Sequence, residues 1–187
     1  MIKIKKRLFV IHGYDASPQK HWFPWLKNAM EKDGYKVNIP EMPIPTEPKL
    51  SKWIEKLDKT VNKIDENTYF VAHSLGAITL LQYLSEYKEL PNFKGFILVS
   101  GFDEEIPNFE FLEHFTKNEV NYDKIKAKAK NISVIASEND TIVPINFSKK
   151  LSKKLEAKMY TFKSSGHFLD REGILEIPLI EKLLKKM

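Results

Sequence analysis

The chain predicts an α/β fold, a mostly parallel sheet flanked by helices on both faces, and two observations carry that prediction. Short continuous apolar runs, which suit parallel strands covered on both sides, occur at 8–11, 69–72, 96–99 and 132–136, with weaker ones at 35–39 and 159–162. Between them apolar residues recur at helical spacing over 22–32, 50–64, 75–87, 145–155 and 177–186. Strand and helix therefore alternate along the whole chain, which lays crossover helices on both faces of a parallel sheet. At 187 residues one doubly wound domain, 1–187, accounts for the chain and can bury a full core.

Three stretches stand out, and one of them, 102–122, breaks the alternation. The segment 40–48 holds Pro40, Pro43, Pro45 and Pro48, so it is neither helix nor central strand. It reads as a loop at a strand's carboxyl end, where it would border the crevice of an open sheet. The segment 102–122, with Phe109, Phe111, Leu112 and Phe115 amid acidic residues, reads first as a connecting helix packed on the sheet. A lid or substrate wall is the sharper alternative. The lysines of 124–130 come with no arginine or aromatic residue among them, which describes an exposed helix better than a nucleic-acid surface.

Composition narrows the function classes. Hydrophobic residues at 42% and charged residues at 29% place the chain with ordinary globular proteins. Cysteine is absent, which excludes disulfides, thiolate metal ligands and a cysteine nucleophile and suits a reducing compartment. The charged stretch 1–7 runs into an apolar segment too short for a signal peptide or a membrane span. The cytoplasm is the expected location, with neither a membrane nor a nucleic acid as partner. The net charge of +5 is spread over the chain and reads as a solubility feature.

The most informative segment is Thr68-Tyr69-Phe70-Val71-Ala72-His73-Ser74-Leu75-Gly76-Ala77, a serine between a strand-like and a helix-like run. That is the pattern of a nucleophile elbow, a sharp turn that holds a hydroxyl out where a base can reach it. Small residues flank such a turn because neighbouring backbones approach closely there. The usual first glycine is Ala72, a mild departure.

A serine nucleophile needs a base, a group that orients the base, and donors for the developing oxyanion. The order serine, acid, histidine of α/β hydrolases is met by Ser74, Asp140 and His167. Asp140 follows the run 132–136, and His167 follows 159–162 through Ser164-Ser165-Gly166, so both belong at carboxyl ends of strands. The backbone N–H groups of Leu75 and Tyr14 are the candidate oxyanion donors, Tyr14 because Gly13 before it permits an unusual turn. Asp103 is the alternative acid, after 96–99. Asp170 reads as a helix cap, His12 as a buttress of its loop, and His73 as a positioning group at most. Trp22, Phe23 and Trp25 could wall a pocket, although helix core suits two of the three better. No H-E-x-x-H pair and no phosphate-binding glycine loop is present, so neither metal nor cofactor is expected.

With His12-Gly13, Ala72-His73-Ser74-Leu75-Gly76, Glu138-Asn139-Asp140-Thr141-Ile142-Val143-Pro144 and Gly166-His167-Phe168 in view, the chain resembles the small serine hydrolases similar to retinoblastoma-binding protein 9, and most closely their bacterial YdeN-like branch. The resemblance implies a compact α/β-hydrolase fold with little or no cap, a sheet without the first strands of larger relatives, and nucleophile, acid and base at Ser74, Asp140 and His167. The expected function is hydrolysis of small carboxylic esters, thioesters or amides through an acyl-enzyme. The alternative is a protein-interaction module that keeps the hydrolase fold with weak or vestigial catalysis.

Overall fold

Alternation of side chains along each strand decides which of two cores it fills. In the computed structural model, which describes residues 6–187, one core takes Phe9, Ile11, Phe70, Ala72, Phe96 and Leu98. The other takes Leu8, Val10, Tyr69, Val71, Ile97 and Val99 from the same strands. Residues 1–5 of the charged N-terminal stretch lie outside the described residues. Both faces are thus apolar, which explains why these strands read as continuous runs.

The elements follow in the order β1 Arg7–Ile11, α1 Phe23–Lys32, β2 Lys36–Asn38, α2 Leu50–Val61, β3 Thr68–His73, α3 Leu75–Glu86, β4 Gly95–Val99, α4 Tyr122–Lys128, β5 Ile132–Ser137, α5 Ile145–Lys154, β6 Lys158–Phe162 and α6 Pro178–Lys186. The six strands form one all-parallel sheet in the order β2-β1-β3-β4-β5-β6. Leu26 and Met30 of α1 and Ile180 and Leu184 of α6 cover one face. Trp53 of α2, Leu80 and Leu84 of α3, Ile125 of α4 and Leu151 of α5 cover the other.

Local chemistry explains the element ends. Pro24 at the start of α1 and Pro178 at the start of α6 occupy first-turn positions whose N–H groups have no intrahelical partner. The Asn121 side chain accepts from the Lys124 N–H at 3.0 Å and caps α4. Helix α2 stops at Val61, short of the expected 64, because Asn62 turns to φ +58°.

The lysine-rich run lies largely on α4, and three of its four lysines are engaged. Lys124 donates to the carbonyls of Ser85 and Tyr87 at the end of α3, Lys126 pairs with Asp123 and Glu156, and Lys130 pairs with Glu66. Among the described residues no helix is long and apolar enough to cross a membrane.

The connecting helix expected over 102–122 is not there. An irregular loop runs from Gly101, carries one 3₁₀ segment at Glu110–Phe115, and reaches α-helix only at Tyr122. Pro107 lacks an N–H and Asn108 sits at φ +68°, and both oppose an α-helix. Leu112 and Phe115 face the core all the same, so helix-like aromatic spacing is satisfied by a tighter turn.

The strand order reverses between β1 and β3, since the next strands in sequence lie on opposite sides of this pair. Open α/β sheets form their ligand crevice at such a switch point, outside the carboxyl ends of the strands. The loops that leave β1 and β3 there carry Gly13, Tyr14 and Ser74.

Candidate active site

Ser74 sits between the last residue of β3 and the first of α3 with φ +54° and ψ −120°, a conformation that non-glycine residues rarely adopt. Its surroundings hold it there. The Ser74 N–H donates to the Val99 carbonyl at 2.9 Å, and its own carbonyl accepts from Ala77 N–H at 2.8 Å. A Cβ at Gly76 would stand 2.5 Å from the Ile11 oxygen and 2.7 Å from the His12 oxygen, so only glycine lets α3 approach β1 this closely. Ala72, in place of the first glycine, is a fully buried strand residue paired with Ile11 and Leu98, and its methyl belongs to the core.

His167 Nε2 lies 2.9 Å from Ser74 Oγ, and His167 Nδ1 lies 2.8 Å from Asp140 Oδ2. Ser74, Asp140 and His167 are all buried to within 8% of full coverage. The carboxylate is fixed from both ends: Oδ1 accepts from the N–H groups of Ile142 and Val143, each at 2.9 Å, and Oδ2 accepts from Ser100 Oγ at 2.8 Å. Asp103, the alternative acid, is bonded instead to the Tyr122 hydroxyl and the Lys154 ammonium.

The loop that carries His167 is tied at several points. Glu172 accepts from the N–H groups of His167 and Leu169, Asn139 accepts from Gly166, and Ser137 Oγ accepts from Ser165. Gly166 has φ +52° and a Cβ there would strike the Glu172 carboxylate at 2.3 Å. His73 reaches the same loop from below, its Nε2 2.9 Å from the His167 carbonyl. A carbonyl only accepts, so His73 carries its proton on Nε2, while Nδ1 is buried without a partner among the described residues. The two imidazole rings are 4.9 Å apart.

His12 performs a similar task on the loop after β1. Its Nε2 accepts from the Met42 N–H at 3.1 Å, so its proton is on Nδ1, which donates to the Gly13 carbonyl at 2.9 Å. In a trans peptide the carbonyl and the following N–H point in opposite directions. The Tyr14 N–H therefore points away from His12. Among the described residues neither it nor the Leu75 N–H donates to a protein acceptor.

Burial pushes the imidazoles of His12, His21 and His73 below their ordinary value, His73 furthest, with the neighbouring His167 ring adding to the effect there. Folded values below unfolded ones mean that the unfolded chain binds more protons under about pH 6.5. Stability is then complete above that pH and is lost as the pH falls below it, by about 1.4 kcal/mol per pH unit for each histidine still held neutral. The urea midpoint is expected to be clearly lower at pH 5.5 than at pH 7.5. An equal or higher midpoint at pH 5.5 contradicts this account.

A cavity of about 220 Å³ opens over Ser74. It is smaller than the pockets that hold drug-sized ligands. Phe102, Ile106, Phe109 and Leu112 line it, so part of the segment 102–122 is a wall of the site. The proline-rich stretch 40–48 does not line it but stands behind it. There Met42 holds His12, the Pro45 carbonyl accepts from Asp15, and the Pro43 carbonyl accepts from Trp53 Nε1. Trp22, Phe23 and Trp25 also do not line it, because Trp22 and Phe23 pack into the core on the α1 side of the sheet and the half-buried Trp25 packs against it. Asp170 is no α-helix cap; it begins a 3₁₀ turn, and its carboxylate accepts from the His21 N–H at 3.3 Å.

Ser100, Glu172 and Asn139 were not singled out from the sequence, since each acts through contacts that only folding creates. Ser100 carries one local sign, a polar residue straight after an apolar strand. Among the described residues no group of three or more His, Cys, Asp or Glu side chains is gathered to hold a metal ion.

Comparison with known proteins places the chain in a family. The protein YdeN of Bacillus subtilis (strain 168) is 41% identical over 179 residues, 96% of this chain and 94% of its own. The crystal structure of the B. subtilis ydeN gene product superposes with a TM-score of 0.94, covering 97% of this chain and 98% of that one at 40% identity. The serine hydrolase RBBP9 of Rattus norvegicus is 26% identical over 165 residues, 87% of this chain and 86% of its own. Est1E from Butyrivibrio proteoclasticus shares the fold at a TM-score of 0.71, with 17% identity over 97% of this chain and 86% of that one. The family model described as serine hydrolase matches residues 8–186, nearly the whole length, and on that match and the likeness to YdeN the chain belongs to the serine hydrolase family.

Proposed function

We propose that this protein is a serine hydrolase that cleaves small carboxylic esters, thioesters or amides through an acyl-enzyme at Ser74. One observation carries the reading: the unbroken line of hydrogen bonds from Ser74 Oγ through His167 to Asp140, at 2.9 and 2.8 Å, on the floor of a cavity. As Oγ attacks the substrate carbonyl, its proton passes to His167 Nε2, and the oxyanion that forms is received by the N–H groups of Tyr14 and Leu75. His167 then gives the proton to the leaving atom, and water repeats the sequence to release the acid. Asp140 keeps the proton on Nδ1 and stabilises the imidazolium.

The peptide between Gly13 and Tyr14, turned by His12, supports the oxyanion assignment, and so does the place of Leu75 at the start of a helix, where N–H groups are unsatisfied. Each such donor is worth about 2.7 to 4 kcal/mol of transition-state stabilisation. His73 is a positioning residue in this reading, since it holds the main chain of the base. The test is turnover of a panel of short-chain p-nitrophenyl esters, acyl thioesters and acyl anilides at neutral pH. Hydrolysis of at least the activated esters is expected. Turnover of no member by folded protein overturns the proposal.

A further inference from the structure

The cavity beside Ser74 has two walls of different chemistry. Phe102, Ile106, Phe109, Leu112, Ile142 and Val143, from the loops after β4 and β5, form an apolar wall. Aromatic contacts extend it outward, Tyr14 meeting Phe109 at 6.4 Å and Phe111 at 5.4 Å between ring centres, with Phe111 54% exposed. The lining from the loops after β1 and β6 is polar. It is built from Lys20 and His21 in the loop after β1 and from Asp170 and Arg171 just after His167, with Leu169 as its apolar member and Asp15 beside it.

The polar wall is one piece. The His21 N–H donates to Asp170 Oδ2 at 3.3 Å, the Asp170 N–H donates to His21 Nδ1 at 3.2 Å, and Lys20 Nζ donates to the Asp15 carbonyl at 2.9 Å. The Asp170 carboxylate also accepts from the Arg171 N–H at 2.7 Å. Lys20 and Arg171 take part in no ion pair among the described residues, and both are donors only.

Resting on the acyl-enzyme reading above, we propose that the site is directional: it takes esters whose acid part is apolar and whose leaving group is polar and rich in oxygen acceptors. Proton bookkeeping sets the direction. When the bond from Ser74 Oγ to the acyl carbon has formed and the bond from that carbon to the leaving oxygen breaks, His167 Nε2 returns to that oxygen the proton it took from Ser74. The leaving oxygen must therefore come within hydrogen-bond reach of Nε2. Leu169, Asp170 and Arg171, two to four positions after His167 on the same loop, belong to the polar wall, so the alcohol lies there, and the acyl chain leads away toward Phe109 and Ile106. Hydroxyl or carboxylate oxygens on the alcohol meet Lys20 and Arg171. Asp15 on the same rim makes hydroxylated alcohols as well suited as anionic ones.

A mirrored pair of esters tests this, with rates divided by each ester's own hydroxide-catalysed rate. Glyceryl butanoate has an apolar acid and a polar alcohol; butyl glycerate reverses them around the same bond. The wild-type protein is expected to prefer glyceryl butanoate at least tenfold in kcat/KM, about the effect of one or two hydrogen bonds. In a Lys20→Ala/Arg171→Ala double variant the ratio of glyceryl butanoate to ethyl butanoate is expected to fall toward one, chiefly through KM. Phe109→Ala is expected to lower kcat/KM for both butanoates alike. Comparable rates on the mirrored pair, preference for butyl glycerate, or an unchanged ratio in the double variant overturns directionality alone. Failure to hydrolyse any of the three esters by protein that turns over p-nitrophenyl esters overturns this inference alone, and failure on those activated esters as well overturns the hydrolase reading with it.

Discussion

Ser74→Ala is expected to lower kcat by about 10⁴-fold or more on any ester the protein hydrolyses, with the fold intact. Loss of Oγ leaves His167 Nε2 nothing to deprotonate but water, and knocking out such a nucleophile removes most of a triad's contribution at once. The proposed oxyanion donors, the N–H groups of Tyr14 and Leu75, are backbone groups and survive, so a small residual rate above solution is expected. The substitution is conservative for the turn. Alanine at φ +54° carries the same backbone strain as serine, and the bonds from Ser74 N–H to Val99 and from Ala77 N–H to Ser74 involve the main chain only. The thermal midpoint should move by no more than a few degrees. A variant that keeps a tenth of the activity contradicts the assignment of the nucleophile.

Asp140→Asn is expected to lower kcat by about 10⁴-fold while changing stability little, because the amide fits the carboxylate's space but reverses one hydrogen bond. The reason lies in the contacts of the two oxygens. Oδ1 accepts two main-chain N–H groups, from Ile142 and Val143, so an asparagine must keep its carbonyl oxygen there. Its NH₂ then occupies the Oδ2 position, facing Ser100 Oγ and His167 Nδ1. A donor now meets the donor on Nδ1. His167 relieves the conflict by moving its proton to Nε2, the form that cannot accept from Ser74. Asp140→Asn and Asp140→Ala should therefore be comparably slow, and near-normal turnover by the asparagine variant contradicts the role given to the acid.

Much of this arrangement was legible in the chain, for identifiable reasons. Parallel strands buried on both faces leave runs such as Phe70-Val71-Ala72 and Phe96-Ile97-Leu98-Val99, so the strands of the sheet stood out. The juxtaposition of Ser74, Asp140 and His167 could be anticipated because each follows a strand, and parallel strands bring all their carboxyl ends to one edge.

What could not be read is non-local. Phe109, Leu112 and Phe115 are spaced as a helix stripe, and that spacing does not distinguish an α-helix from the 3₁₀ turn at Glu110–Phe115, which contributes Leu112 to the cavity wall. The proline-rich stretch looked like a pocket lining because its loop emerges at the right edge. Its bonds to His12, Asp15 and Trp53 reveal that it supports the wall from behind. Ser100 and Glu172 are polar residues with no motif, and their value comes from Asp140, 40 positions away, and from the His167 main chain.

The central claim is that the surroundings of Ser74 make its hydroxyl a nucleophile. Reaction of the intact protein with a fluorophosphonate at neutral pH, read by mass spectrometry with peptide mapping, tests it most directly. One adduct per chain, on Ser74, lost in Ser74→Ala and slowed by orders of magnitude in His167→Ala, is the expected result. A folded protein that takes no adduct, or takes it elsewhere, contradicts the claim.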